Sequence, residues 1–231
     1  MATLKLLSAG AVKRGVTQIA EAYAHSSGHI VEVEFTQVHK IRKRFAQGES
    51  ADVLVLTDSA MDEFAASGTI VPGIRALLGH SRVGVLVHKD APAPEVRDVE
   101  SFILALLAAS AVVHNDASSG VYVAELLEKL GLKAQLGERI IVVGSGAAIN
   151  ITVAERGVGA IGMGQISEII VMIAKGCPVK LVAPLPEVIQ NISTYHAAAV
   201  AASPHLAGAG ALVRELTSPA AKQIFAATGI D

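Results

Sequence analysis

Short apolar runs alternate with helical periodicity along most of the chain. The apolar run 4–7 ends in Ser-Ala-Gly, and apolar residues spaced three or four positions apart follow from Val12 to Tyr23. The runs 30–35 and 51–56 are followed by helical patterns in the same way. This succession of strand and helix predicts an α/β fold built from doubly wound sheets.

The second half of the chain continues the alternation. Further strands are predicted at 83–88, 111–115, 139–144, 158–164, 179–183 and 193–202. The amphipathic pattern from Val121 to Leu130 ends at Gly131, which is typical of a helix C-terminus. The stretch 72–81 contains Pro and Gly and is predicted to be a loop. The sequence has no repeat and no Ser/Gly-rich linker, so a second lobe would be reached only through short crossing segments.

Polar turns follow three of the predicted strands, and each turn precedes a helix. These turns are 8–11 (Ser-Ala-Gly-Ala), 57–59 (Thr-Asp-Ser) and 118–120 (Ser-Ser-Gly). Free backbone N–H groups and the positive end of a helix dipole favour an anion at such turns. The alternative is that Gly10 only lets the chain turn, as Gly does in many strand-to-helix units. The residues alone leave both interpretations open.

Composition narrows the classes of function. Hydrophobic residues make up 52% of the chain, but no apolar run approaches the ~18 residues of a membrane span, so membrane insertion is not expected. A net charge of −2 gives no electrostatic case for nucleic acid. The first predicted strand begins almost at the first residue, so a cytoplasmic protein without a signal peptide is expected. A periplasmic protein whose leader had been replaced by Met would have the same sequence.

Motifs for metal, cofactor or nucleophilic chemistry are missing from the sequence. Cys177 is the single cysteine and the eight histidines are scattered, so neither a disulfide nor a metal site is predicted. The chain has no phosphate-loop signature and no Ser-His-Asp arrangement. No cofactor is therefore expected.

Three titratable residues beside the predicted turns have both a structural and a functional interpretation. His114 ends a strand and is either a hydrogen-bonded structural residue or a general base. Asp58 is either a charge at a helix N-terminus or a catalytic base. Glu168 is expected to begin a helix and to remain solvated. The sequence favours the structural interpretation of all three.

Five segments together resemble the type II periplasmic solute-binding proteins, specifically their molybdate-binding branch. The segments are 7–11 (Leu-Ser-Ala-Gly-Ala), 48–53 (Gly-Glu-Ser-Ala-Asp-Val), 118–122 (Ser-Ser-Gly-Val-Tyr), 154–157 (Ala-Glu-Arg-Gly) and 216–221 (Leu-Thr-Ser-Pro-Ala-Ala). Their order and spacing cover essentially the whole chain. The resemblance implies two α/β lobes joined by two crossover segments, with a ligand cleft between them. Lobe 1 would comprise 1–82 plus 188–231, and lobe 2 would comprise 83–187.

The resemblance also implies the ligand, the partners and most of the site. In this family an oxyanion is held by Ser or Thr hydroxyls and by backbone N–H groups at helix N-termini. The implied ligand-binding residues are Ser8, Gly10, Ala11, Thr57, Ser118, Ser119, Gly120, Val121, Tyr122, Ala147 and Gln165. The implied partners are a small anionic ligand and, if the protein is exported, an ABC importer. The implied oligomeric state is a monomer.

Gln165 departs from the family pattern, which usually has a Tyr at this position. Gln offers two donors and one acceptor, whereas Tyr offers one rotatable hydroxyl. Together with 184–190 (Pro-Leu-Pro-Glu-Val-Ile-Gln), Gln165 resembles a divergent group of the superfamily in which some members isomerise carboxylic acids, as aconitate isomerase does. The alternative function is therefore cofactor-independent isomerisation of a polycarboxylate. Such an allylic proton shift needs one group to take a proton and return it, so it leaves almost no motif.

Lys13 is a further candidate ligand contact. Lys13 and Arg14 directly follow the first turn, where a cation is unfavourable for the helix dipole. A ligand carboxylate would explain at least one of them. The alternative is that both side chains point into solvent.

Overall fold

The computed structural model describes residues 2–231. In the first part of the chain the elements are β1 (Thr3–Ser8), α1 (Lys13–Ser27), β2 (Ile30–Phe35), α2 (Val38–Ala46), β3 (Val53–Thr57), α3 (Asp58–Ala66) and β4 (Ile70–His88). They are followed by α4 (Val99–Ala108), β5 (Ala111–Asn115), α5 (Ser118–Lys129), α6 (Lys133–Leu136), β6 (Ile140–Val143) and α7 (Gly146–Arg156). The last elements are β7 (Ala160–Gln165), α8 (Ile166–Ala174), β8 (Val179–Pro184), β9 (Ile192–Val200), α9 (Leu206–Leu216) and α10 (Pro219–Ala227). None of these helices has both the length and the apolarity needed to span a bilayer.

The chain divides into two compact units. Unit 1 consists of Met1–Ser81 and Ser193–Asp231, and unit 2 consists of Arg82–Ile192. The chain therefore passes from one unit to the other within β4 and again at the start of β9.

Unit 1 contains a sheet in the order β2-β1-β3-β9. Strand β1 pairs in parallel with β2 and β3, and β9 runs antiparallel to β3. Leu4 and Leu6 pack on one face of the sheet with residues of α1, α9 and α10. Leu7 packs on the other face with Ile41 of α2 and Met61 of α3. Because helices cover both faces of the sheet, most side chains of β1 and β3 are buried, and these strands are nearly continuous apolar runs in the sequence.

Unit 2 contains a sheet in the order β8-β4-β7-β5-β6. Strand β5 is parallel to β6 and β7, whereas β4 is antiparallel to β7 and β8. Val112 packs with Phe102 and Leu126 in one cluster, and Val113 packs with Ile149 in another. Successive residues of β5 thus face helices on opposite sides of the sheet. The predicted α/β fold with doubly wound sheets is confirmed.

The predicted loop at 72–81 was wrong, because these residues belong to the long strand β4. Pro72 and Gly73 suggested a break, but both are exposed and lie near the start of the strand, where proline is tolerated. His80, near the point where β4 leaves unit 1, pairs with Asp231. The His80 N–H donates to the Asp231 carbonyl at 2.6 Å, and the Asp231 N–H donates to the His80 carbonyl at 2.9 Å. A pairing between residues so distant in sequence leaves no local signal.

Gly120 allows the start of α5 to lie close against the end of β5. A Cβ at this position would overlap the Asn115 backbone carbonyl, which cannot move aside as a flexible side chain can.

We expect Gly120→Ala to destabilise the protein by about 1–3 kcal/mol despite alanine's higher helix propensity, because overpacking against backbone outweighs that gain. Urea unfolding measures the loss. Gly144→Ala is the matched control, since a Cβ there has no neighbour within 4 Å; equal losses in both variants would contradict the close-packing argument.

Candidate anion-binding turns

The unit 1 residues predicted to bind a ligand lie at one edge of its sheet. Strands β1 and β3 are parallel, with Ser8 in register with Val55, so the turns after both strands emerge at the same edge. The Ala9 N–H donates to the Val55 carbonyl at 2.9 Å and ties the first turn to β3. The structure thus brings Ser8, Gly10 and Ala11 to the sheet edge at which Thr57 ends β3.

The donors of the first turn differ in their availability. The Ser8 hydroxyl is fully buried and donates to the Ala9 carbonyl at 3.0 Å. Gly10 and Ala11 begin a short 3-10 helix, and their N–H groups have no acceptor within residues 2–231. The first turn therefore presents backbone donors, whereas the Ser8 hydroxyl must rotate before it can reach a ligand.

Lys13 is exposed and has a partner in its own unit. Its ammonium lies over the Phe35 ring, 5.3 Å from the ring centroid, which is a cation–π distance. This contact explains the position of the side chain without a ligand carboxylate. A ligand contact through Lys13 stays a prediction.

The start of α3 already carries charges of its own. Thr57 is the N-cap residue, but its hydroxyl makes no capping hydrogen bond. Asp58, in the first turn, lies 2.6 Å from the Arg75 guanidinium and 3.1 Å from Nδ1 of His196. Burial and the Arg75 charge lower the pKa of His196, so the ring is neutral at neutral pH. Asp58 is thus a paired charge at a helix N-terminus, as the structural interpretation expected.

In unit 2, three turns meet at one sheet edge. Strand β5 is parallel to both β6 and β7, so its carboxyl end lies on the same side as theirs. The turns that follow lead into α5, α7 and α8. They carry the predicted ligand residues Ser118–Val121, Ala147 and Gln165, which the topology brings to this single edge.

The turn into α5 is held in place by Asn115. This side chain is almost fully buried, and its Oδ1 accepts a hydrogen bond from the Ala117 N–H at 3.2 Å. The N–H groups of Ser118 and Ser119, the first two residues of the helix, have no acceptor within residues 2–231. Their hydroxyls also make no hydrogen bond with these residues, although Ser119 is only 4% exposed. The turn therefore presents four unused donors within two residues.

The turn into α7 is capped by Ser145, whose hydroxyl accepts the Ala148 N–H at 3.2 Å. The N–H groups of Gly146 and Ala147 have no acceptor within the described chain. Ala147 itself is exposed. The predicted N–H donor is thus available for a ligand.

Glu168 was expected to stay solvated, and that expectation was wrong. Its carboxyl packs against the first residue of α7, where only the missing side chain of Gly146 leaves room for it. Burial raises the pKa of Glu168 above its ordinary value of 4.5, and no charged group opposes this effect. No local pattern in the sequence indicated this contact, because α7 and α8 pack together only in the folded unit.

Gln165 and Tyr122 are both held in place by the fold. Gln165 is 5% exposed and is the N-cap residue of α8, although its side chain makes no capping hydrogen bond there. The Tyr122 hydroxyl donates to the Ile189 carbonyl at 2.8 Å, and burial raises its pKa. Tyr122 is thus anchored to the segment after β8.

Three residues of these turns were missed by the sequence analysis. Asn115 and Ser145 position helix N-termini, and Asn150 donates from Nδ2 to the Gly146 carbonyl at 2.8 Å. Asn115 and Ser145 precede helices and are typical capping residues, so this signal was present in the sequence.

The structural interpretation of His114 agrees with the structure. The residue is buried, and its Nδ1 lies 2.9 Å from the Asn115 carbonyl.

The raised pKa of Glu168 predicts how stability depends on pH. Below 4.5 the carboxyl is protonated in both the folded and the unfolded chain, so its burial has no charge penalty. Between pH 4.5 and the raised folded-state pKa, the unfolded chain ionises while the folded chain keeps its proton, so the folded state loses stability relative to a neutral residue; the full loss persists at higher pH. We therefore expect Glu168→Gln to be more stable than the wild type near neutral pH and equal to it in acid.

Urea unfolding from about pH 4 to about pH 8 tests this expectation. Glu155→Gln is the matched control, because Glu155 is exposed near the other end of α7 and its substitution should leave the pH dependence unchanged. A pH-independent difference between Glu168→Gln and the wild type would show that burial does not perturb this carboxyl.

The fold is that of the type II periplasmic binding proteins. A substrate-binding domain assigned to a molybdenum ABC transporter from Clostridium difficile superposes with a TM-score of 0.81 at 18% identity, covering 99% of this chain and 98% of that one. The periplasmic molybdate-binding protein of Azotobacter vinelandii gives a TM-score of 0.74 at 19% identity, covering 99% and 98%.

The chain belongs to the bacterial extracellular solute-binding protein family, which it matches over residues 4–231. It is also 28% identical over 237 aligned positions to an aconitate isomerase from a Pseudomonas species, covering 99% of this chain and 87% of that protein. The resemblance found in the sequence is confirmed.

Proposed function

We propose that this protein binds a small oxyanion or carboxylate through hydroxyls and unpaired backbone N–H groups at the starts of its helices. The observation that carries the proposal is the turn into α5. There, two N–H groups and two hydroxyls lack acceptors within residues 2–231, and Ser119 is almost entirely buried. Ser118 is exposed, and the Ser119 hydroxyl still reaches solvent although the residue as a whole is buried. A small anion at this turn could therefore accept from all four donors.

Two further observations support an anion. The helix dipole adds a positive potential at the start of α5 and of α7, and the Gly146 and Ala147 N–H groups are also unpaired in the described chain. Neutral donors at helix N-termini suit an anion that must be released again, because they do not neutralise it with a full counter-charge. Of the proteins with the same fold, one is named for a molybdenum ABC transporter and another as a molybdate-binding protein. A solute-binding role with an ABC importer, outside the cytoplasm, is part of this proposal.

Thermal unfolding in the presence of candidate anions tests the proposal directly. A ligand that binds only the folded state raises the unfolding temperature, with about 2.7 kcal/mol of added stability at a hundredfold its Kd. Molybdate, tungstate, sulfate, phosphate and a set of di- and tricarboxylates cover both ligand classes. A shift with at least one of them is expected, and no shift with any would contradict anion binding.

Two serine substitutions assign the donors. We expect Ser119→Ala to weaken binding by about 1–3 kcal/mol, or about 5- to 150-fold, because one hydroxyl donor to the anion is lost. Ser8→Ala should weaken it less, because the Ser8 hydroxyl must first give up its bond to the Ala9 carbonyl. Isothermal titration calorimetry with the anion found in the thermal screen measures both.

The matched controls are serines outside the turns. Ser110 precedes β5 at the end opposite Ser119, and Ser26 lies in the last turn of α1, far along the helix from Ser8. Both are exposed, so Ser110→Ala and Ser26→Ala should bind as the wild type does. Unchanged affinity in Ser119→Ala and Ser8→Ala would exclude these hydroxyls from the site.

Isomerisation of a polycarboxylate is a second candidate function. It is favoured by the similarity to an aconitate isomerase, which at 28% exceeds the identity to either molybdate-associated structure. Gln165 supports the same candidate. It stands where the family usually has a Tyr, and this difference is part of the resemblance to the group of the superfamily that includes isomerases. The same donors that bind a carboxylate would also stabilise an enolate-like intermediate.

Incubation with cis- or trans-aconitate in D₂O distinguishes binding from turnover. An isomerase should interconvert the two isomers and incorporate deuterium at the exchanging carbon, both of which proton NMR detects. A solute-binding protein should shift the unfolding temperature with its anion and leave both isomers unchanged. Absence of exchange at saturating aconitate would exclude this second function.

A further inference from the structure

Glu168 stands at the start of α7 without a hydrogen-bonding partner. Its carboxyl packs against Gly146, whose N–H is unpaired in residues 2–231, as is that of Ala147. The carboxyl itself makes no hydrogen bond or ion pair within these residues. A half-buried acidic group thus lies next to two donors proposed to bind an anion.

Within residues 2–231, no cation compensates the charge of Glu168. The elements packed most closely against α8 are α7, β7 and β8. Strand β7 (Ala-Ile-Gly-Met-Gly-Gln) has no charged side chain, and the charged residues of α7, Glu155 and Arg156, are exposed at its far end. The charged residue of β8, Lys180, donates from Nζ to the Ala91 carbonyl at 2.6 Å. Burial alone accounts for the raised pKa of Glu168.

An anion at the start of α7 would bring a second negative charge close to this carboxyl. Two negative charges at short range repel each other strongly where little water screens them. This repulsion raises the pKa of one of the groups, so that it takes up a proton. Glu168 is the group that burial already favours in its neutral form. A protonated carboxyl also gains an O–H donor, whereas an ionised one only accepts.

We propose that Glu168 takes up a proton when an anion binds at the start of α7, and that the neutral carboxyl then donates a hydrogen bond to that anion. This inference rests on the proposed anion-binding function and adds Glu168 to the donor-bearing positions named above for the ligand. It makes affinity depend on pH: binding should weaken by up to about tenfold per pH unit once Glu168 is ionised in the free protein.

Isothermal titration calorimetry measures the proton directly. Molybdate and trans-aconitate are the two probes, used at about pH 8, where both are fully ionised, in buffers that differ in their enthalpy of ionisation. The buffer dependence of the measured heat gives the number of protons taken up. We expect the wild type to take up as much as one proton per bound anion, and Glu168→Gln to take up none while binding with little pH dependence.

Glu155→Gln is the control, because this exposed carboxyl lies near the opposite end of α7 and should leave the proton uptake unchanged. Thermal unfolding of Glu168→Gln without anion verifies that the variant is folded. Anion binding by the wild type without proton uptake would overturn this inference and leave the proposed function intact. Proton uptake that persists in Glu168→Gln would overturn it too, by assigning the proton to another group. Failure of the wild type to bind either probe or any other anion of the thermal screen would overturn both proposals.

Discussion

The candidate site depends on a property of every helix: its first N–H groups have no acceptor within the helix itself. In a parallel sheet, the helices that follow neighbouring strands begin at the same edge of the sheet, so their unpaired N–H groups lie close together. In unit 2 the turns after β5, β6 and β7 all emerge there. Asn115 and Ser145 each satisfy one N–H of these turns, and the N–H groups beside them stay unpaired within residues 2–231. Within the described chain, the turns of unit 2 thus concentrate neutral donors at one sheet edge.

The two units treat charge at their helix starts differently. In unit 1 the carboxylate of Asp58 occupies the first turn of α3 and is paired with Arg75, so its charge is compensated. In unit 2 the carboxyl of Glu168 packs at the start of α7 with no cation beside it. Asp58 thus has a cationic partner, whereas burial shifts Glu168 toward the neutral form. The difference follows from Gly146, whose missing side chain leaves the space that the carboxyl occupies.

The sequence predicted those features that local patterns encode. Apolar runs identified most strands, helical periodicity and Gly131 identified α5 and its end, and the hydroxyl-bearing turns pointed to helix starts. It failed where the decisive contact joins distant residues. His80, in the predicted loop, pairs with Asp231, and the packing of α8 on α7 partly buries Glu168. Neither partner lies within the few positions over which periodicity and capping act.

Binding and isomerisation of a carboxylate make the same demand on the donors. Both need N–H and O–H groups preorganised around negative charge, which the turns after β5 and β6 provide in either case. Turnover needs one thing more, a group that exchanges a proton with the bound molecule. A carboxyl with a raised pKa and no counter-ion is suited to such exchange, and Glu168 has both properties beside the start of α7. The proton of Glu168 is therefore the physical feature that connects the two functions: as a donor it stabilises a bound anion, and as a transferable proton it would allow chemistry.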